Sequence, residues 1–319
     1  MSSFDFPPVE RVTVTPQYRV VERFLTTEFW RPEQDDLFAP DIEVELPHAP
    51  FGMLQHMIPF EFQALRFWLR ETVRSHRLTK APVIIPTTDP DVFWTIRNVE
   101  GDVFWAKREG RFVCEFAARI IVKDGRIQSL RDYGNPISFY DAVGIILPNF
   151  NYLMDLNSDV PCVRMGADQV SHFTPEENAK RAIANFADPI NGHDDDPEPI
   201  YAHNVVMVTP FAPRDMLVDW PPETFDAQTD WMFRSVPEWN VMDPAPFYQS
   251  VDPNVIVVES YGYGKTTWSN REGHYIQREL QIVHLDRQGK IDHFRVYFNS
   301  LNKFSSMNQH IPSFPYFNF

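Results

Sequence analysis

Apolar residues along this chain switch between two spacings, and the switch happens twice in the same order. From Thr15-Pro16 to about residue 29 they recur at helical spacing, with the Thr placed as N-cap and the Pro at the first helical position. Residues 42–46 alternate and predict a strand, and residues 60–76 return to helical spacing. Four strand-like segments follow, at 92–99, 101–107, 111–122 and 126–133, with turns expected at Glu100-Gly101, Glu109-Gly110 and Asp124-Gly125. In the second half Thr174-Pro175-Glu176-Glu177 opens a helix to about residue 187. A strand at 204–208, a helix at 223–235 and strands at 255–261, 265–269, 274–285 and 290–299 complete the order. Helices followed by an antiparallel meander, twice, predict an α+β fold in each half.

The repetition reaches individual residues. Pro47, Trp68, Gly101, Trp105 and Gly110 return 163 positions later as Pro210, Trp231, Gly264, Trp268 and Gly273. After one inserted residue, Ile127, Arg131, Tyr133, Asn135 and Pro148 return 164 positions later as Ile291, Arg295, Tyr297, Asn299 and Pro312. Tryptophans and glycines at one offset point to a duplicated domain, and a period this long gives each copy its own core. The expected organisation is an arm at 1–14, a first domain at 15–150, a linker at 151–173 and a second domain at 174–319. The copies part company where Asp132 and Gly134 face Val296 and Phe298.

Composition changes this picture only by exclusion. With 43% hydrophobic and 14% aromatic residues, 319 residues can fill two cores. A formal charge of −15 with no basic, aromatic-interleaved stripe opposes nucleic-acid binding. No apolar run approaches the roughly 20 residues of a membrane span, and residues 1–16 carry no apolar signal core, so no membrane role and a cytoplasmic location are expected. Cys114 and Cys162 read as free, buried thiols. The acidic run at 194–196 lacks the spaced ligands of a calcium loop, and no metal is expected.

Several motifs of the second half resemble those of the phenazine-biosynthesis A/B proteins: Ser235-Val236-Pro237-Glu238-Trp239, Asp252-Pro253-Asn254, Gly262 with Gly264, Gly273-His274-Tyr275 and the closing Ile311-Pro312. In the first half, Arg131-Asp132-Tyr133-Gly134-Asn135-Pro136 is similar to a signature of the wider NTF2-like, or SnoaL-like, superfamily. The resemblance implies two cone-shaped domains, each a curved antiparallel sheet wrapped around helices, in tandem as an intramolecular pseudo-dimer, with the whole chain a monomer or a homodimer. It also implies pocket positions: the acidic residue of the last strand falls on Asp132 and Val296, and the pocket-lining helix positions fall on Leu65 and Leu69 in one half, and on Gln228 and Met232 in the other.

Alternation puts Asp132 and Gly134 on one face of their strand. A carboxylate in an apolar cone gains a raised pKa and serves as general acid or base near neutral pH, with the glycine leaving room for a ligand. The competing reading is a carboxylate paired with Arg131 or Arg119 that serves only the fold. His56 is a second candidate for proton transfer. Arg66 and Arg70 are candidates for holding a substrate carboxylate, and Gln228, Tyr263 and Tyr275 are candidates for hydrogen bonding in a second pocket, although Val296 and Phe298 suggest a mainly structural second half. No dinucleotide, phosphate-loop or nucleophile-elbow motif is present, so no cofactor is implied. The expected function is a cofactor-independent isomerase, dehydratase or cyclase acting on a small polar metabolite in a phenazine-like specialised pathway. The alternative is a non-catalytic module that binds a small molecule or a partner.

Overall fold

In the computed structural model of the chain the described residues are 2–148, 171–187, 199–214, 216–241, 246–267 and 271–315. They fall into two compact units. The first comprises Pro8–Pro148 with Ile311–Phe319, and the second comprises Met1–Pro7 with Asn149–His310. The division by packing therefore differs at both ends from the boundaries read along the sequence, where 311–319 closes the second domain and 1–14 is a separate N-terminal arm.

The first unit runs α1 (Pro16–Thr26), a 3-10 turn (Pro32–Leu37), β1 (Phe38–Glu45), β2 (His56–Met57), α2 (Pro59–Thr72), β3 (Arg77–Leu78), β4 (Val83–Pro86), β5 (Val92–Trp105), β6 (Arg108–Lys123), β7 (Arg126–Gly134) and α3 (Pro136–Ala142). Thr15 caps α1 as expected, its Oγ1 accepting the Tyr18 N–H at 3.1 Å. The sheet order is β2-β1-β7-β6-β5-β3, with β4 also on β5. α1 packs on β6 and β7, α2 on β1, and α3 on β6. Val21, Phe24 and Leu25 turn the apolar face of α1 into the core.

The second unit repeats this with α4 (Pro175–Ala187), β8 (Tyr201–Val208), β9 (Asp219–Trp220), α5 (Pro222–Ser235), β10 (Glu238–Val241), β11 (Phe247–Gln249), β12 (Val255–Thr266), β13 (Gly273–Leu285), β14 (Ile291–Phe298) and α6 (Ser300–Ser306). Its order, β10-β12-β13-β14-β8-β9 with β11 on β12, is the same topology. The linker at 151–170, Cys162 and the acidic run at 194–196 lie outside the described residues. Among the described residues no helix is long and apolar enough to cross a membrane.

Four details differ from the sequence reading. Each sheet is mixed, because β1 runs parallel to β7 and β8 parallel to β14. β5 passes straight through Glu100-Gly101, and β12 through Gly262 and Gly264. Gly101 and Gly264 are there for close approach: a Cβ would stand 2.1 Å from the Ser75 carbonyl oxygen in one unit and 1.9 Å from that of Glu238 in the other. The β5–β6 turn lies at Ala106-Lys107, both with positive φ, while Gly110 is paired inside β6. The short helices α3 and α6 were not expected; Asn135 and Asn299 cap them by accepting the N–H of Ile137 and Leu301, each at 3.0 Å.

The terminal segments go where their aromatic residues find cover. Phe314 sits in the first unit among Trp68, Trp105, Phe139 and Tyr140, at centroid distances of 6.5, 5.9, 5.9 and 5.8 Å, and Tyr140 donates to the Pro312 carbonyl at 2.7 Å. Phe6 meets His293 edge-on at 5.4 Å in the second unit, where Ser3 bonds Asp219 and Arg295 donates to the Phe4 carbonyl.

The repeat glycines give a paired test. A Cβ on Gly110 or Gly273 would lie 1.7 Å from the carbonyl oxygen of Ala142 or Ser306, at the end of α3 or α6. Gly110→Ala and Gly273→Ala are each expected to destabilise by more than about 1 kcal/mol, read as a lowered denaturant midpoint. An unchanged midpoint in either variant would refute that close approach.

Candidate functional site

The inward face of the first sheet and helices α1 and α2 enclose a cavity of about 120 Å³. Its wall is largely apolar: Phe24, Phe62, Leu65, Trp68, Leu69, Trp105, Phe112, Phe116 and Phe139 contribute, together with the polar groups of Arg97, Asp132 and His76. Trp68 and Trp105 stack at 5.3 Å, and Trp105 stacks on Phe139 at 5.6 Å, so the aromatic lining is a packed layer.

Asp132 stands on β7 with its side chain buried on this face. Its Oδ2 accepts from Arg97 Nη2 at 2.6 Å, while Oδ1 is buried with no hydrogen-bond partner. Its counter-ion is neither Arg131 nor Arg119 but Arg97 on β5, which sequence alternation does not single out. The guanidinium lies over the Phe24 and Phe116 rings at 5.1 and 4.8 Å. Burial raises the Asp132 carboxyl above its ordinary value, and the Arg97 charge and hydrogen bond oppose that shift without cancelling it. His76, edge-on to Trp30 at 5.0 Å, is driven down to about 4 by burial and then by the Arg97 charge, so it is a neutral imidazole at neutral pH.

The other first-half candidates do not join this site. Gly134 leaves no room for a ligand, because a Cβ there would meet Phe116 Cε1 at 2.7 Å: the glycine makes space for that ring. His56 pairs with Glu45 at 3.2 Å with 72% of its side chain exposed, and lies outside the cavity wall. Arg66 is inside the protein but committed to structure, donating to the carbonyls of Phe29 (3.0 Å) and Arg31 (2.9 Å) and pairing with Asp35 (2.7 Å). Arg70 lies over Phe67 at 4.9 Å and bonds Glu71 on the outer face of α2. An i, i+4 pair of arginines cannot show from sequence which member turns inward.

The second unit holds the larger of the two cavities, about 300 Å³, so Val296 and Phe298 do not fill its pocket. Gln228 and Tyr275 line it as expected, and so do Met232, Val296 and Phe298. Tyr263 does not; it is 47% exposed on β12. Val296 and Phe298 leave the space open because a polar set stands beside them: Gln277, Glu279 and Gln281 from β13 and Lys303 from α6. Gln277 and Gln281 donate to Glu279, at 2.5 and 3.3 Å. The Lys303 amine lies 4.3 Å from the Phe298 ring centre and 5.0 Å from that of Tyr275. Burial lowers Lys303 to about 8 against the opposing pull of Glu279, and burial raises Glu279 against Lys303 and the two amides. Glu279 and Lys303 were missed because the duplication directed attention to the last strand, whereas these residues lie one strand earlier and one helix later.

Repeat offsets make the two sites comparable. Asp132 and Arg97 correspond to Val296 and Ser260, while Glu279 and Lys303 correspond to Phe116 and Phe139. Each unit brings a buried cation and a carboxylate to its cavity wall, in different places.

No protein-family model matches the chain, and no curated protein matches it. Among solved structures it is similar to a phenazine biosynthesis-related protein from Pseudomonas aeruginosa, with 17% identity and a TM-score of 0.37, over 42% of this chain and 88% of that one. An epoxide hydrolase from M. tuberculosis (19%, TM-score 0.30) aligns over 40% of this chain and 89% of its own, and an NTF2-like protein of unknown function from Burkholderia pseudomallei (13%, TM-score 0.32) over 41% and 98%. No residue role is taken from them. The same element order and strand order recur in both units, so the chain is a tandem repeat of one α+β fold.

The correspondence supplies its own double-mutant cycle. Arg97→Ser or Asp132→Val alone strands a buried charge and is expected to cost about 3–5 kcal/mol. The double variant copies the second unit's solution and should cost less than the sum by at least about 2 kcal/mol, measured by denaturant unfolding. Additive losses would show that the pair is not coupled.

Proposed function

We propose that the first unit is a cofactor-independent acid–base catalyst for a small ring-sized metabolite, with Asp132 as the group that takes up and returns the proton. The observation that carries this reading is the buried Asp132 Oδ1, which has no hydrogen-bond partner, at the wall of an aromatic cavity. An engineered cavity of roughly 150 Å³ accommodates benzene, so a space of about 120 Å³ suits one ring rather than a fused system. Arg97 offers a guanidinium beside the carboxylate, suited to steadying negative charge on a substrate oxygen as a neighbouring C–H bond gives up its proton. Neutral His76 on the same wall is a second proton acceptor. This combination suits isomerisation, dehydration or cyclisation through an enolate-like species. Placement in a phenazine-like pathway follows only the sequence resemblance and narrows the candidate substrates to aromatic precursors.

Holding a ligand without transforming it is the second reading, favoured by the engagement of Asp132 Oδ2 with Arg97. Incorporation of deuterium into cyclohexanone in D2O, followed by NMR, separates the two. The catalyst should accelerate exchange over buffer, the rate should rise with pH as the carboxyl ionises, and the inflection should lie above the ordinary aspartate value of about 3.9 because burial raises this group. Asp132→Asn, checked for retained fold by circular dichroism, should lose about 10²–10⁴-fold. Equal rates in the two proteins, or no acceleration by either, would leave only the binding reading.

A further inference from the structure

The second cavity contains a set of groups that the proposed chemistry of the first unit does not use. Lys303 is buried and lines the cavity, its amine held over two aromatic rings. Glu279 lines the same space and is fixed by two amide donors, Gln277 and Gln281. With their Nε2 atoms committed to Glu279, those glutamines present Oε1 atoms that are buried and lack hydrogen-bond partners. Aromatic and apolar surface from Phe225, Trp239 and Phe294 completes the enclosure.

We propose that this cavity is a second, chemically distinct site, in which Lys303 captures an aldehyde or ketone carrying a hydroxyl group as an imine, with Glu279 as the proton donor. The lysine nitrogen adds to the carbonyl carbon, and the carbonyl oxygen becomes the hydroxyl of a carbinolamine as the nitrogen loses its extra proton. Glu279 protonates that hydroxyl, the C–O bond breaks to release water, the nitrogen lone pair forms the C=N bond, and the resulting iminium N–H returns its proton to the Glu279 carboxylate. Amine and carbonyl thus give imine and water with no oxidant or reductant. Two features favour this over a passive ion pair. An amine in an apolar, aromatic enclosure is available in its neutral, nucleophilic form near pH 8. A carboxyl raised by burial keeps a proton to give. The open Gln277 and Gln281 oxygens are acceptors for the ligand's hydroxyl, and this is what selects a hydroxylated carbonyl compound over a plain one.

The test uses the full chain, 4-hydroxybenzaldehyde as probe and cyanoborohydride to fix any imine, with peptide mapping by mass spectrometry. Lys303 should be labelled at least tenfold faster than exposed Lys123 or Lys265, and faster by 4-hydroxybenzaldehyde than by benzaldehyde. Glu279→Gln should slow labelling at Lys303 about tenfold while leaving Lys123 and Lys265 unchanged, and Asp132→Asn should leave all three unchanged. Labelling of Lys303 no faster than of the two exposed lysines in the unsubstituted protein would overturn the proposal, as would equal rates in Glu279→Gln. The comparison within the unsubstituted protein needs no variant to fold.

Discussion

A charge carried into the space between a sheet and its helices has to bring its counter-charge with it, and the interior of each unit is arranged around that requirement. Desolvating one ion costs several kcal/mol, and stranding one member of a buried pair costs about 3–5 kcal/mol. Both units obey, with Arg97 and Asp132 in one, and Lys303 with Glu279 in the other. At the corresponding places the other copy has no charge at all: Ser260 and Val296, or Phe116 and Phe139. Intermediate states with one member replaced are the costly ones, so the pairs differ between copies as units and not residue by residue.

Packing follows from where the pair stands. In the first unit Phe116 and Phe139 occupy the positions that carry Glu279 and Lys303 in the second, and they join the layer of Trp68, Trp105 and Phe112. Phe116 fits because its cross-strand neighbour is Gly134; in the second unit the smaller Glu279 faces Phe298. The ring has changed strands between the two copies, and a glutamate side chain stands where the first unit has a ring. What differs is the space beyond it. The cavity is about 120 Å³ where rings fill the mouth and about 300 Å³ where a lysine and three glutamines line it.

The fold was legible in the sequence because its signals are local and were stated twice. The N-capping Thr15 and Thr174, the alternating strands and the glycines at one offset each have a short-range physical cause. The site was only partly legible, since its partners meet across strands. Asp132 could be placed on the inner face by alternation, but its counter-ion Arg97 lies on β5, two strands away in the sheet, and nothing between residues 97 and 132 marks them as a pair. Arg66 shows the same limit in reverse: helical spacing identified a charged row, and only packing shows this member spent on two backbone carbonyls. The copies do differ at Asp132 and Gly134, but the glycine makes room for the Phe116 ring and not for a ligand, and taking Val296 and Phe298 as a filled pocket overlooked the polar residues on the adjoining strand and helix.

That asymmetry bears on why two copies are kept in one chain. If the second unit served only to complete the fold, its interior would be expected to relax toward apolar filling, because replacing a buried ion pair by well-packed hydrophobic residues is often neutral or stabilising by about 1–4 kcal/mol. The first unit already contains the apolar alternative at those positions, Phe116 and Phe139, so the same scaffold accommodates it. The second unit instead has a buried amine, a half-buried carboxyl and amide oxygens without partners, around the larger of the two spaces. The amide oxygens of Gln277 and Gln281, buried without partners, are what the proposed ligand would satisfy. On the reading proposed above, the unpartnered Oδ1 of Asp132 would serve a different ligand, since a single-ring cavity with a carboxylate and a guanidinium does not offer the amine that the other one does.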